Sequence, residues 1–184
     1  MEMVMSSAKE PRSFIPVRIA VLTISDTRLL EDDVSGQTLA DRIAAAGHAL
    51  SARKIVADDI RAIRQVVREW VARDDVDVII STGGTGLTGN DVTVEAMRAL
   101  FDKEIDGFGA LFHMVSFAKI GTSTIQSRAT AGIVKGKYVF CLPGSPGACR
   151  DGWDEILKSQ LDYRHMPCNF VEIMPRLEEH RKAP

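Results

Sequence analysis

The residues best suited to chemistry lie in three loops, each of which follows a predicted strand. The first loop, residues 82–91, contains four glycines and three threonines and ends in Asp91. Glycines permit tight turns and leave backbone N–H groups open to an anion. The second loop is residues 143–147, where Ser145 is a predicted N-cap at a helix N-terminus that would attract phosphate. The third, residues 23–26, is a polar strand end.

Two carboxylates could bind a metal ion beside a phosphate. Asp91 closes the glycine-rich loop, and Asp58 directly precedes a predicted helix that begins near Ile60. Carboxylate oxygens suit Mg²⁺, although either aspartate would also serve as a plain N-cap. The Ser/Thr-rich stretch 121–130 would add hydroxyl donors and the fixed charge of Arg128, or form only a polar loop.

The glycine-rich loop also satisfies the G-x-G-x-x-G pattern of dinucleotide-binding proteins. That pattern requires an acidic residue about 20 positions further on, at the end of the next strand. Asp102 and Glu104 lie near that distance, but a helical pattern surrounds them and no strand is predicted between. A dinucleotide-dependent oxidoreductase is therefore disfavoured, and a P-loop is excluded because G-x-x-x-x-G-K-[ST] is absent from the sequence.

Alternating strands and helices predict an α/β fold around a mostly parallel sheet. Five segments are apolar and rich in β-branched residues, and the last two form a hairpin across Lys135-Gly136. The predicted strands are 17–24, 49–56, 77–81, 129–134 and 137–142. The predicted helices begin near residues 35, 60, 93, 108 and 146. We expect a three-layer α/β/α sandwich with one antiparallel excursion.

Composition narrows the functional classes. The chain has 184 residues and a net charge of -2, which is too balanced for a protein that binds nucleic acid through charge. No apolar run reaches the roughly 20 residues of a membrane helix, and the N-terminus has no signal core, so we expect a cytoplasmic protein. Three cysteines without C-x-x-C spacing and four scattered histidines predict neither a zinc site nor disulfides.

Several motifs together resemble the MoaB/MogA family of molybdenum cofactor biosynthesis proteins, and the MoaB branch in particular. The matching segments are 22–26 (LTISD), 83–86 (GGTG) with 91–93 (DVT), 107–109 (GFG), 127–129 (SRA) and 142–146 (LPGSP). They span nearly the whole chain. The resemblance implies a molybdopterin-binding fold, here a single domain over residues 14–175 with flexible tails at 1–13 and 176–184.

The resemblance also implies an activity, which is adenylylation of molybdopterin by Mg-ATP before molybdenum insertion. Asp58 and Asp91 match the two family aspartates tied to magnesium and catalysis. The positions that would contact the pterin or its phosphate are Thr23, Ser25, Asp26, Gly83, Gly84, Thr85, Gly86, Ser116, Pro143, Gly144 and Ser145. The family forms trimers, and the MoaB branch can pair trimers into hexamers, so a homo-oligomer is expected, with other proteins of the pathway as further partners.

One position departs from the family pattern. Adenylylating members often carry an arginine directly before the loop aspartate, where this chain has Asn90. The loss of that phosphate-binding charge keeps open a second hypothesis, that the protein is a non-catalytic molybdopterin carrier or assembly protein. Pyrophosphate release distinguishes the enzyme from the carrier.

Overall fold

The computed structural model describes residues 11–181, in which strands and helices alternate along most of the chain. The strands are β1 (Arg18–Ile24), β2 (Ala49–Val56), β3 (Val78–Thr82), β4 (Lys103–Glu104), β5 (Thr130–Val134) and β6 (Lys137–Leu142). The helices are α1 (Val34–Ala45), α2 (Ile60–Val71), α3 (Thr93–Arg98), α4 (Asp106–Ile120), α5 (Pro146–Gly152), α6 (Lys158–Gln160) and α7 (Phe170–Ile173). A π-helical turn at Trp153–Leu157 joins α5 to α6, and 3₁₀ turns span Gly121–Gln126, Met174–Arg176 and Glu179–Arg181.

All six strands form one mixed sheet in the order β2-β1-β3-β6-β5-β4. The first four of these pair in parallel, whereas β5 pairs antiparallel with both of its neighbours. The predicted hairpin between β5 and β6 is confirmed. Its turn residues Lys135 and Gly136 have φ values of 47° and 74°, the left-handed conformations that a tight two-residue hairpin requires.

Helices cover both faces of the sheet, which confirms the predicted three-layer α/β/α sandwich. Alternate residues of β1 point to opposite faces, so Val21 packs in one core and Leu22 in the other. The first core takes its helical residues from α1, α4, α5 with the π-helical turn that follows it, and α7. Trp153 of that turn is 1% exposed. The second takes them from α2 and α3, where apolar side chains recur at three- and four-residue steps.

Four regions differ from the expected structure or extend it. A two-residue strand, β4, forms at the sheet edge, where the sequence predicted no strand; it pairs only with β5 and has no local pattern of its own. The Gly121–Gln126 turn and α7 were also not anticipated. Leu177 packs against the first core, inside the segment predicted as a tail. Residues 1–10 and 182–184 lie outside the described part, and the domain limits stay a prediction.

Candidate functional site

The register of the parallel strands brings four loops to one edge of the sheet. Ile24 of β1 lies opposite Val56 of β2, and Thr82 of β3 lies opposite Leu142 of β6. Thr23 and Thr82 are likewise paired. Each strand therefore ends at nearly the same level, and the residues that follow meet beyond the carboxyl ends, where ligands bind in open α/β sheets.

Two glycines allow the glycine-rich loop to turn sharply between the neighbouring strands. Gly83 has φ +106°, and a Cβ atom at this position would lie 2.2 Å from the carbonyl oxygen of Ile24. Gly144, in the next loop, would place its Cβ 3.1 Å from the Cα of Gly83. A side chain at Gly83 would therefore collide with main chain, which explains why a residue without one is needed there.

Arg128 holds the glycine-rich loop in shape. Its backbone N–H donates to the carbonyl oxygen of Thr85 (3.0 Å), its Nε to that of Gly86 (2.8 Å) and its Nη2 to that of Asp91 (3.0 Å). The guanidinium also pairs with Glu95. The sequence suggested that Arg128 would present a positive charge to a ligand. In the structure its guanidinium instead stabilises the glycine-rich loop from a position just before β5.

The first of two cavities at this edge, which we name the carboxylate cavity, has a volume of about 310 Å³. Three carboxylates line it, those of Asp26, Asp58 and Asp91, together with the guanidinium of Arg28. Asp26 is tied to its neighbour, because its Oδ1 accepts the backbone N–H of Asp58 at 2.9 Å. This cavity combines acidic oxygens with one cation, as a site for a metal–phosphate complex would.

The aspartates of the carboxylate cavity differ in their electrostatic environment. Partial burial, followed by repulsion from Asp26 and Asp91, raises the pKa of Asp58 above its usual range. For Asp91, hydrogen bonds from the Thr88 hydroxyl and from nearby backbone N–H groups outweigh partial burial and lower the pKa. A carboxylate destabilised by its neighbours, such as Asp58, gains most from a bound cation.

Neither Asp58 nor Asp91 is used as a helix cap, the structural role that the sequence left open for both. Asp59, not Asp58, caps α2 by accepting the backbone N–H of Ala62 at 2.8 Å. The Oδ2 of Asp91 accepts from the backbone N and hydroxyl of Thr88 (2.8 and 2.6 Å), within the loop. Helix α3 begins two residues after Asp91 without a side-chain cap.

The second cavity, which we name the hydroxyl cavity, has a volume of about 350 Å³. Its lining combines the ring of Phe112 with hydroxyl side chains, including Ser116, Thr124, Ser127 and Ser145. The Oγ1 of Thr124 and the Oγ of Ser127 are buried without a hydrogen-bond partner in the described part of the chain. Buried hydroxyls normally have partners, so these two are suited to a polar ligand that carries an apolar face.

The two cavities adjoin and share part of their walls. Gly84, Asp91 and Gly144 line both of them. Because two of the three shared residues have no side chain, groups bound on either side could approach each other across this boundary. This geometry suits a reaction between two different ligands.

The structure gathers nearly all the predicted site residues around this edge. Ser25, Asp26, Asp58 and Gly83 line the carboxylate cavity; Thr85, Gly86, Ser116, Pro143 and Ser145 line the hydroxyl cavity; Gly84, Asp91 and Gly144 line both. The backbone N–H of Gly83 already donates to the carbonyl oxygen of Leu142. Of the next three loop amides, that of Gly86 hydrogen-bonds the Asp91 carboxylate, whereas those of Gly84 and Thr85 have no partner within residues 11–181.

Thr23 is the predicted contact residue that the structure places elsewhere. It is 1% exposed and lies outside the linings of both cavities. Its hydroxyl donates to the Oδ2 of Asp33 at 2.7 Å, and Asp33 in turn caps α1 by accepting the N–H of Gly36. Thr23 therefore supports the start of α1 beneath the site rather than facing a ligand.

Arg28 lines the carboxylate cavity but was not among the site residues predicted from the sequence. It lies two residues after Asp26, in a charged loop without recognisable pattern. Its Nη1 donates to the carbonyl oxygen of Gly144 and to the Oγ of Ser35, each at 3.3 Å. A cation shortly after an acidic strand end was the signal available in the sequence.

Residues 11–181 lack the features of several other kinds of site. This part of the chain contains no cluster of three or more His, Cys, Asp or Glu residues that could hold a metal ion by itself. Its cysteines, Cys141, Cys149 and Cys168, are free thiols. None of its helices has the length and apolar character needed to cross a membrane.

Comparisons with known proteins identify the family to which the chain belongs. Residues 20–163 match the family described as a probable molybdopterin binding domain. A protein of Escherichia coli (strain K12) named Molybdenum cofactor biosynthesis protein B is 52% identical over 157 residues, covering 85% of this chain and 92% of the relative. A protein of the same name from Bacillus cereus is 46% identical over 148 residues, covering 80% and 88%.

Solved structures extend the similarity to the fold. A crystal structure of Molybdenum cofactor biosynthesis protein B has a TM-score of 0.82 and 41% identity, covering 91% of this chain and 99% of the other. The tungsten cofactor synthesizing protein MoaB from Pyrococcus furiosus has a TM-score of 0.70 and 30% identity, with coverage of 91% and 98%.

Proposed function

Because the chain belongs to the family of molybdopterin-binding domains found in molybdenum cofactor biosynthesis proteins, we propose that it adenylylates molybdopterin with Mg-ATP. Its role in molybdenum cofactor biosynthesis follows from the family and from relatives up to 52% identical. The adenylyl transfer, the nucleotide and the metal are the proposal.

The observation that carries this proposal is the pair of adjoining cavities with unlike linings. A pterin is a flat ring with polar edges, and the hydroxyl cavity offers Phe112 for the ring and unpartnered hydroxyls of Thr124 and Ser127 for the edges. The carboxylate cavity offers oxygen ligands and Arg28 for a metal-bound triphosphate. Each substrate then has its own compartment.

In the proposed reaction, an oxygen of the terminal phosphate of molybdopterin attacks the α-phosphorus of ATP. One P–O bond forms, the bond between the α-phosphorus and the α–β bridging oxygen breaks, and pyrophosphate leaves. Such transfers depend on positioning and charge neutralisation rather than on a covalent enzyme intermediate. The shared wall at Gly84 and Gly144 is where the two phosphate groups would meet.

The residues present fit magnesium. Asp58 and Asp91 line one cavity and supply hard oxygen ligands, and Mg²⁺ usually binds one or two carboxylates together with phosphates and water. Partial burial and the neighbouring Asp26 and Asp91 raise the pKa of Asp58, and a bound cation would offset the cost of its negative charge. When bound, the ion would neutralise phosphate charge, and Asp58 and Asp91 would hold it.

The remaining groups position the phosphates. The backbone N–H groups of Gly84 and Thr85, which have no partner within residues 11–181, are available to phosphate oxygens. The N-cap Ser145 begins α5 at the same wall, and the N–H groups at a helix start favour anions. Ser25 and Asp26 also line the carboxylate cavity.

The test is pyrophosphate release from purified protein with molybdopterin and Mg-ATP. Asp91→Asn should lose at least about 100-fold in rate, because a metal ligand is removed while the carbonyl oxygen of asparagine can still accept from Thr88. Asp74→Asn, at an exposed aspartate in the turn before β3, is the matched control and should behave like wild type. Wild-type turnover in Asp91→Asn would refute the role of this residue.

A second candidate function is a non-catalytic molybdopterin carrier, favoured by one observation. Asn90 lines the carboxylate cavity at the position where adenylylating relatives often have arginine. The carrier predicts that molybdopterin binds but that Mg-ATP releases no pyrophosphate. The same assay separates the two functions, because wild-type protein either turns over or only binds.

The proposal includes self-association, as the family resemblance implies for a trimer or hexamer. Helix α4 exposes Met114, Phe117 and Ile120, each more than half accessible, and the following turn exposes Ile125. Contiguous apolar surface of this kind is typical of an interface. Ile120 also lines the hydroxyl cavity, so a second copy on this face would adjoin the pterin compartment. Light scattering measures the mass that decides the oligomer.

A further inference from the structure

Arg28 has an unusual position for an arginine of this chain. It lines the carboxylate cavity beside Asp26, Asp58 and Asp91, yet it forms no ion pair with a carboxylate in the described residues. By contrast, the nearby Arg53 pairs with Asp33, and Arg128 pairs with Glu95. The charge of Arg28 therefore faces the cavity uncompensated by a direct partner.

The contacts of Arg28 leave most of its hydrogen-bonding capacity unused. A guanidinium carries five N–H donors, and within residues 11–181 its two hydrogen bonds both run through Nη1. The Nε and Nη2 groups thus remain for a ligand. They form the planar pair of donors that matches two oxygens of one phosphate.

A purely structural role does not account for Arg28. Its bond to the carbonyl oxygen of Gly144 duplicates one that Ser35 makes better, because the Ser35 hydroxyl donates to the same oxygen at 3.0 Å, against 3.3 Å for Arg28. The connection between the β1–α1 loop and the Gly144 loop therefore persists without the arginine.

The location of Gly144 fixes where Arg28 would act. Gly144 lines both cavities, so Nη1 of Arg28 lies beside the boundary at which the two substrates would meet. Phosphate groups entering a cavity with three carboxylates are repelled by them, and a fixed cation offsets that repulsion. Asn90, which lines the same cavity, is uncharged and does not supply such a cation.

We propose that Arg28 is a phosphate-binding residue of this site, where it supplies the positive charge that the uncharged Asn90 in the same cavity does not. The proposal rests on the proposed function for the identity of the substrate. Arg28 binds the phosphate chain of the nucleotide through Nε and Nη2, while Nη1 keeps it anchored at Gly144.

The experiment measures anion binding and turnover separately. Calorimetric titration of the full chain with magnesium pyrophosphate is compared for wild type, Arg28→Met, Arg28→Lys and the control Arg68→Met, an exposed arginine of α2. We expect Arg28→Met to weaken pyrophosphate binding at least about 10-fold, Arg28→Lys to recover part of it, and Arg68→Met to match wild type. In turnover, Arg28→Met should raise the KM for Mg-ATP at least about 10-fold.

Two results would overturn this inference. One is Arg28→Met binding pyrophosphate within twofold of wild type, and the other is wild-type protein that binds no pyrophosphate at millimolar concentration. The wild-type protein could bind pyrophosphate in an Arg28-dependent way and yet catalyse no adenylyl transfer. That result would support the phosphate-binding role of Arg28 and refute the proposed enzymatic function. The thermal unfolding temperatures of Arg28→Met and Arg28→Lys should stay near that of wild type, because the hydrogen bond from Ser35 to the carbonyl oxygen of Gly144 remains.

Discussion

Replacing Gly83 by alanine tests whether the close approach of two strand ends determines the site. The new methyl group would lie 2.2 Å from the carbonyl oxygen of Ile24 and 3.2 Å from its carbon. Both are main-chain atoms of the central strand β1, so no flexible side chain can move aside. The backbone at Gly83, with φ +106°, is also one that side-chain-bearing residues rarely adopt.

The expected loss of stability is the sum of two terms. Holding a non-glycine residue in a sparsely populated backbone conformation costs about 1–3 kcal/mol. Forcing an extra carbon into a packed region costs a further ~1–3 kcal/mol. Gly83→Ala should therefore lower the free energy of unfolding by about 2–6 kcal/mol, a large part of the roughly 5–15 kcal/mol typical of native proteins.

Urea unfolding followed by circular dichroism measures this change, with Gly89→Ala as the matched control. Gly89 lies in the same loop, but a Cβ there would meet nothing within 4 Å, so the control should stay within about 0.5 kcal/mol of wild type. Equal unfolding midpoints for Gly83→Ala and Gly89→Ala would show that the strand ends have room to separate, and the reasoning from close approach would fail.

Three further predictions concern residues at the edge of the site. The fold raises the pKa of Asp58, so the ionised form of Asp58 destabilises the protein above that pKa and has no such effect below the ordinary value. Asp58→Asn should therefore stabilise the protein at pH 8, by less than about 1 kcal/mol after screening, and this gain should vanish as the pH falls toward 4. Asp59→Ala should instead destabilise the protein by ~1 kcal/mol, because the cap of α2 is lost. A gain that is independent of pH in unfolding titrations would contradict the electrostatic cause. Thr23→Val should lower the free energy of unfolding by about 1–2 kcal/mol, because Asp33 loses one hydrogen-bond donor. The affinity for molybdopterin, measured by fluorescence titration, should stay unchanged. Weakened binding would show that Thr23 contributes to the ligand site after all.

The central part of the fold was predictable because its signals are local. Buried parallel strands are continuous apolar runs, as in β1 (Arg18–Ile24). The edge strand β2 is less buried, yet it also spans Ala49–Val56 as predicted. Helix α2 is equally clear from the spacing of its apolar residues. Strand β4 was not predictable, since Lys103–Glu104 is exposed and pairs only because β5 lies beside it. The Gly121–Gln126 turn has no apolar periodicity that could indicate it.

The site was predictable where it depends on strand ends and unpredictable where it depends on distant partners. Asp26, Asp58 and the glycine-rich loop follow parallel strands, so the topology alone brings them together. The roles of Thr23 and Arg128 depend on Asp33 and on loop carbonyl oxygens, contacts that exist only after folding. For the same reason Arg28 escaped notice.

The brace that Arg128 forms on the glycine-rich loop affects how a ligand is received. Because Arg128 lies two positions before Thr130, the first residue of β5, and donates hydrogen bonds to three loop carbonyl oxygens, the loop takes on the stiffness of the sheet rather than that of a surface segment. The site is therefore preorganised, and the affinity of a ligand is not reduced by the entropic cost of ordering a flexible loop. A substitution that destabilises β4 or β5 would then change the shape of the cavities, just as a substitution of a lining residue would.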